Sequence, residues 1–183
     1  MKGIFIPMTM TLSLVGSVHS VAVAKTYLSQ EEAQQIIFPG KYFSKVKFDI
    51  SKEIHQKLKE ISGIHHPLST NRFWLAGDGS WFIVDEVVGK HEMITYALGI
   101  NPDGKIQEIQ ILQYNETYGY EVREKSWRSQ FENKSMHEEI RLNKDILNIS
   151  GATLSCKHVT DGVRRLMALH TLLLRKLNVH APM

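Results

Sequence analysis

Closely spaced turn signals between residues 72 and 113 constrain the fold of this chain more than any other feature of its sequence. Asp78-Gly79 is a strong hairpin turn, and Asn101-Pro102-Asp103-Gly104 is a second clear turn. We predict strands at residues 72–76, 81–88, 92–100 and 105–113, the third with Ile94, Tyr96, Leu98 and Ile100 on one face. Strands joined by such short turns pair antiparallel, so we predict an antiparallel sheet with one covered face.

Helical patterns precede this sheet. Ser29 and Glu32 form a capping-box pattern for a short helix that ends near Phe38. Ser51 has the character of an N-cap for a second helix, which Gly63 ends. Between these helices we predict a weak strand at residues 46–50.

A longer helical pattern follows the sheet. From Thr153 onward, apolar positions recur at helical spacing, at Val159, Val163, Leu166, Met167, His170, Leu173, Leu174 and Leu177. We also predict a short helix at residues 127–131. The fold class is therefore α+β: an antiparallel β-sheet meander packed against helices, with a C-terminal helix after a loop at residues 150–153.

The first 24 residues have the pattern of a secretory signal peptide. Lys2 supplies the positive start, residues 4–15 are apolar and hydroxyl-rich, and Ala22-Val23-Ala24 fits the cleavage pattern. The alternative is an uncleaved anchor, but a spanning helix needs roughly 20 predominantly apolar residues, and polar residues interrupt this stretch. We expect a signal peptide at residues 1–24, a single domain at 25–183, and an exported, for instance periplasmic, protein with no stable membrane span in its mature form.

Composition and motifs disfavour several function classes. The 22 Lys and Arg residues are interspersed with 19 Asp and Glu residues, so we expect no nucleic-acid partner. The single cysteine, Cys156, excludes an internal disulfide and is expected to be a buried, inert thiol. His55, His65 and His66 lack a nearby carboxylate cluster, so we predict no metal site. Because no nucleophile elbow is present, we predict no catalytic residues.

The segment Ser150-Gly151-Ala152-Thr153 stands at the start of the long helix and allows two interpretations. Small residues at a helix start leave backbone N–H groups open, which suits a bound phosphate. Ser150 could instead cap the helix in the ordinary way. A motif of four residues is too short to favour a phosphate site over an ordinary helix cap.

The surrounding sequence resembles that of the FMN-binding domain family, which includes flavin subunits of the sodium-pumping NADH:quinone reductase and Rnf complexes. Residues 148–155 resemble its flavinylation motif, Asp-x-x-Ser/Thr-Gly-Ala-Thr, although Leu147 stands at the Asp position and Asp145 lies two residues earlier. The family's Glu-Thr-x-Gly loop and aromatic segment are matched by Tyr114, Glu116, Thr117, Gly119 and Tyr120, and by Trp127, Gln130 and Phe131. The resemblance covers roughly residues 75 to 175.

The resemblance implies that Thr153 carries FMN covalently, as phosphothreonyl-FMN, through a phosphodiester bond. A separate exported flavin transferase, using FAD and a divalent metal, makes this bond in the family. The residues implied in cofactor binding are Thr153, Ser150, Gly151, Ala152, Leu154, Ser155, Glu116, Thr117, Gly119, Tyr120, Trp127 and Lys157.

Each of these roles has a plainer alternative. Aromatic residues could form walls for the flavin ring or only pack in the core; they are Tyr118, Tyr120, Trp127 and Phe131. Glu116 and Thr117 are the better candidates for orienting a ligand. Lys157 could pair with phosphate or remain solvated, and we expect Asp161 and Arg164 to form a charge pair on the helix.

The function implied is that of an exported flavoprotein, carrying electrons between redox partners such as a cytochrome or a membrane reductase. One alternative is a flavin-dependent reductase subunit, and another is a non-redox binding module that has lost flavin. Because we expect no second domain for a small substrate, an electron-transfer flavoprotein is favoured over a self-sufficient oxidoreductase.

Overall fold

The computed structural model describes residues 26–177, and its centre there is a five-stranded antiparallel sheet. Each strand pairs with its neighbour in the chain, so the sheet is a simple meander, and Trp81 pairs with Ile100 while Val88 pairs with Met93. The strands are β1 (Phe43–Lys45), β2 (Phe73–Ala76), β3 (Trp81–Val88), β4 (Met93–Ile100) and β5 (Ile106–Tyr114). The predicted signal peptide at residues 1–24 lies outside the described residues.

Two helices precede most of the sheet and the others follow it. They are α1 (Gln30–Ile37), α2 (Lys52–Ser62), α3 (Lys125–Arg128) and α4 (Thr153–Leu169), then a π-helical segment (His170–Leu174) and α5 (Arg175–Leu177). The predicted capping box is confirmed, because Ser29 and Glu32 each accept a hydrogen bond from the other's backbone N–H. Ser51 likewise caps α2, and Gly63 ends it in the left-handed conformation. The α+β fold class is therefore confirmed.

The first strand lies three residues earlier than predicted. Residues 46–50 are not a strand; instead β1 ends at Lys45, which pairs with Trp74. Because β2 begins at Phe73, the chain beyond Val46 has no partner strand. Alternate side chains of this segment still pack on the core, and the ring of Phe48 meets that of Phe73 edge-on, with 4.9 Å between centroids.

Both faces of the sheet are covered, although the sequence predicted only one covered face. The main core lies between the sheet and helices α2 and α4, and it contains the predicted face of β4. On the opposite face, α1 packs Ala33 and Ile37 against a smaller cluster. That cluster comprises Phe38, Phe82, Val84, Ala97 and Leu112.

A buried ion pair joins α4 to the sheet. Arg165 Nη2 lies 2.6 Å from Asp85 Oδ2, and both side chains are almost fully buried. The Tyr96 hydroxyl donates to the same carboxylate oxygen at 3.0 Å, and burial raises the pKa of Tyr96 well above its ordinary value. These contacts fix α4 on β3 and β4, and thereby fix where its N-terminus lies. Within residues 26–177, no helix combines the length and apolar character needed to cross a membrane.

Candidate functional site

The N-terminus of α4 has no side-chain cap. Ala152 occupies the N-cap position, and the first backbone hydrogen bond of the helix runs from Cys156 N–H to Ala152 O at 2.9 Å. Ser150 therefore does not cap the helix. Within residues 26–177, the N–H groups of residues 153–155 have no hydrogen-bond acceptor. Since a helix N-terminus carries partial positive charge, these free donors form a place where a phosphate group fits.

Gly151 shapes the loop in front of this helix start. Its φ of 84° lies in the left-handed region, which glycine adopts without strain. A Cβ atom at this position would have nothing within 4 Å, so the space above the backbone is open. Both properties leave room for a bulky group beside the uncapped N–H groups.

The Thr153 hydroxyl is exposed and is held by a neighbouring amide. Asn148 Nδ2 donates a hydrogen bond to Thr153 Oγ1 at 2.9 Å. Asn148 lies within the motif region, but the sequence assigned it no role; a polar side chain five residues before Thr153 was the available signal. This contact orients the hydroxyl oxygen and leaves its proton free to be donated.

The segment before Asn148 is anchored by its backbone. Trp127 Nε1 donates to the Leu147 carbonyl at 2.8 Å, and Leu147 N–H donates to Gln130 Oε1 at 2.7 Å. The side chain of Leu147 is 69% exposed. Position 147, where the family motif has an acid, is thus held firmly although its side chain makes no anchoring contact.

Asp145, the acid nearest to this position in sequence, is engaged elsewhere. Its carboxylate accepts hydrogen bonds from the backbone N–H groups of Ile140 and Arg141 and pairs with Lys134 at 3.3 Å. Partial burial raises the pKa of Asp145, but these backbone hydrogen bonds outweigh burial and lower it. Asp145 therefore stabilises its own turn instead of replacing the acid at position 147.

A cavity of about 480 Å³ opens beside Thr153. Three segments line it: the β3–β4 turn with Lys90 and His91, residues 116–118 after β5, and residues 151–155 at the start of α4. Its volume lies within the range of small-molecule and cofactor sites. The sequence had placed the second and third segments at the site, but it had not indicated Lys90 or His91.

Glu116 ties the first two segments together. Its Oε1 accepts hydrogen bonds from the backbone N–H groups of His91 at 2.6 Å and Glu92 at 3.0 Å. Partial burial raises the pKa of Glu116, but the backbone hydrogen bonds outweigh it, so the pKa lies below its ordinary value. Glu116 is therefore an ionised carboxylate that forms one wall of the cavity and fixes the turn.

A second contact fixes residues 116–119 on the start of α4. The Tyr114 hydroxyl donates to the Tyr118 carbonyl and forms a hydrogen bond with Ser155 Oγ at 2.9 Å. Gly119 lies in this junction with φ 89°, and a Cβ there would come within 2.6 Å of the Tyr114 hydroxyl. Burial raises the pKa of Tyr114, so its phenol stays protonated.

The aromatic candidates divide into two groups. Tyr118 lines the cavity and is 80% exposed, whereas Tyr120 is half-exposed and lies outside the lining. Trp127 and Phe131 are buried and pack edge-on, with 5.1 Å between centroids. Trp127 thus supports the loop before Thr153, and Tyr118 is the aromatic side chain that faces the cavity.

The remaining charged and nucleophilic candidates lie outside the cavity lining. Lys157 pairs with Asp161 at 2.7 Å, and the predicted pair between Asp161 and Arg164 is confirmed at 2.8 Å. Cys156 is buried, as predicted, and burial raises the pKa of its thiol. Among the described residues, no group of three or more His, Cys, Asp or Glu side chains is arranged to hold a metal ion.

Comparison with known protein families agrees with this geometry. Residues 89–168 match the family model described as FMN-binding domain, and every residue that lines the cavity falls within this range. A comparison with curated proteins returns no match to this chain. Residues 89–168 are therefore similar to the FMN-binding domain family.

Proposed function

We propose that this protein is an exported flavoprotein that carries FMN through a phosphodiester bond to Thr153 and transfers electrons between redox partners. The observation that carries the proposal is the exposed Thr153 hydroxyl, oriented by Asn148 at the uncapped N-terminus of α4 beside the cavity. The partners would be proteins such as a cytochrome or a membrane reductase.

The residues around Thr153 fit a phosphodiester. The N–H groups of residues 153–155 supply donors for its non-bridging oxygens, and the helix N-terminus favours its negative charge by about 0.3–1 kcal/mol. Lys90, which also lines the cavity, adds positive charge. Gly151 leaves the approach to the helix start open.

Attachment needs a flavin transferase that brings FAD and a divalent metal. Thr153 Oγ1 takes the place of AMP on the FMN phosphorus, so a P–O bond to threonine forms and the pyrophosphate P–O bond breaks. The hydroxyl proton goes to a base of the transferase. Glu116, the one carboxylate in the cavity wall, does not serve as this base because its Oε1 accepts hydrogen bonds from two backbone N–H groups. The hydrogen bond from Asn148 holds the attacking oxygen in place.

Bound FMN supplies the reversible uptake of one or two electrons. The chain supplies attachment, orientation and access. Tyr118 and Leu154 present exposed apolar surface at the cavity, which suits both a flat ring and a partner protein. A covalent link keeps the cofactor in place after export, which the pattern of residues 1–24 predicts.

Coexpression with a flavin transferase tests the attachment. We expect the denatured protein to retain flavin fluorescence and to gain the mass of one FMN moiety, located on Thr153 by peptide mapping. Thr153→Ala should abolish both signals, while Ser150→Ala, which changes another exposed hydroxyl of the motif, should keep them. A Thr153→Ala protein that retains flavin after denaturation would refute the assignment.

Export and electron transfer need separate measurements. We expect the protein in the periplasmic fraction, with a mass that shows cleavage after Ala24. Reduced holoprotein mixed with a soluble cytochrome should transfer electrons rapidly, as followed by stopped-flow absorbance. Retention of residues 1–24 in a cytoplasmic protein would contradict export, and a holoprotein inert toward every protein acceptor would contradict the carrier role.

A further inference from the structure

A second cavity, of about 320 Å³, lies between α2, residues 64–68 and Arg165 of α4. It shares no lining residue with the cavity beside Thr153. Its wall combines lysine, histidine and arginine side chains with the apolar side chains of Leu58, Ile64 and Leu68, and it contains no acidic residue. The ionisable side chains that line it are therefore all basic.

Positive charge on α2 faces this cavity without compensation. Lys52, His55 and Lys59 follow one another at helical spacing and all line the cavity. Within residues 26–177, neither Lys52 nor Lys59 has an ion-pair partner, whereas Lys57, on another face of α2, pairs with Glu53 at 2.6 Å. Two lysines are therefore available to an anion.

Two buried polar atoms in the same wall have no partner. Three buried side-chain nitrogens in the described part of the chain lack a hydrogen bond, and two of them, Arg165 Nε and His66 Nε2, belong to residues of this wall. The other Arg165 nitrogens are used: Nη2 by Asp85 at 2.6 Å and Nη1 by the His66 carbonyl at 3.2 Å. His66 Nδ1 lies 3.3 Å from the Pro67 carbonyl and is therefore the donor nitrogen of its ring, which leaves Nε2 as an acceptor. Arg165 Nε–H is thus a buried donor in this wall that needs an acceptor.

We propose that this cavity binds a small metabolite that carries a phosphate group. Lys52 and Lys59 pair with the doubly charged phosphate at the mouth, and Arg165 Nε–H donates to it at the base. A phosphate fits better than a carboxylate because two unpaired lysines match two negative charges. The apolar side chains of Leu58 and Leu68 contact a small organic part of the ligand, for which the volume leaves room.

Nuclear magnetic resonance of the isotope-labelled protein tests this site independently of flavin attachment. Inorganic phosphate and phenyl phosphate are titrated at constant ionic strength, with chloride as the compensating anion. We expect saturable shifts of the Arg165 Nε–H signal and of the amides of residues 64–68, with tighter binding of phenyl phosphate. Acetate should bind at least about tenfold more weakly, because it carries one charge instead of two.

Matched variants distinguish binding in this cavity from nonspecific attraction to positive charge on the protein surface. Lys52→Gln/Lys59→Gln should weaken phosphate binding at least about tenfold, since two charge-assisted contacts are lost. Lys47→Gln/Lys144→Gln removes the same charge at exposed positions outside the cavity and should leave binding unchanged. Shifts that do not saturate, equal losses in both double variants, or equal binding of acetate would each overturn the proposal.

Discussion

Replacing Asn148 with alanine should slow attachment of flavin at Thr153 without unfolding the protein. The change removes one hydrogen bond, from Asn148 Nδ2 to Thr153 Oγ1, and both residues are exposed. A neutral hydrogen bond contributes about 0.5–1.5 kcal/mol. If that contribution serves to orient the attacking oxygen, its loss slows the reaction by about 2-fold to 10-fold.

The assay is a time course with purified flavin transferase, FAD and Mg²⁺, followed by in-gel flavin fluorescence. Ser150→Ala is the matched control, because Ser150 is an exposed motif residue with no side-chain hydrogen bond among the described residues. Both variants should remain folded, with melting temperatures within about 6 °C of the wild type. Attachment to the Asn148→Ala protein at the wild-type rate would refute the positioning role, and complete loss would show that Asn148 does more than orient the hydroxyl.

Three further predictions concern the same loop and the core. Leu147→Asp should accelerate attachment relative to Leu147→Asn, because it restores the family's acid on a backbone already held by Trp127 and Gln130; equal rates would show that the acid is dispensable. Asp85→Asn should lower the free energy of unfolding by about 3–5 kcal/mol in urea titrations, because it leaves the buried Arg165 unpaired, and a loss under about 1 kcal/mol would contradict this. Burial, and to a lesser extent Arg175, lower the pKa of His170 from 6.5 to about 4. The unfolded chain therefore takes up a proton first as the pH falls, so the wild type should lose up to about 3 kcal/mol of stability between pH 6.5 and 4, while His170→Phe should lose less.

Local signals explain why most of the fold could be predicted. The turns at Asp78-Gly79 and residues 101–104 and the period of α4 are properties of short segments, and the structure has β3 at the predicted residues and β4 and β5 within one residue of them. The position of β1 depends on where β2 begins, and no feature of residues 43–50 indicates that position. The second covered face did have a signal, because residues 81–84 form an unbroken apolar run, which is typical of a strand buried on both faces.

Part of the candidate site could likewise be predicted from short segments of the sequence, and part could not. The resemblance to the family motif predicted residues 150–155 at the site, and the structure has residues 151–155 in the cavity lining. Lys90 and His91 line the cavity in a turn that Glu116 contacts across a separation of 25 residues. Likewise, the supporting role of Trp127 depends on its hydrogen bond to the Leu147 carbonyl, a contact between distant segments. Such pairings depend on how the segments pack in the folded protein, and the sequence of either segment alone does not predict them.

Helix geometry also explains why Thr153 and Ser155, two hydroxyl residues near the start of α4, have different surroundings. Residues 153 and 155 are two positions apart, so their side chains point to nearly opposite sides of the helix. Both residues line the cavity, but Ser155 is 4% exposed and bonds to the Tyr114 hydroxyl, whereas Thr153 is exposed and bonds to Asn148. Ser150 is exposed but lies before Gly151, outside the helix. Ser155 docks residues 116–119 against α4 and so helps to form the cavity beside Thr153, which means that one helical turn provides both a wall of the site and the hydroxyl that we propose as the acceptor.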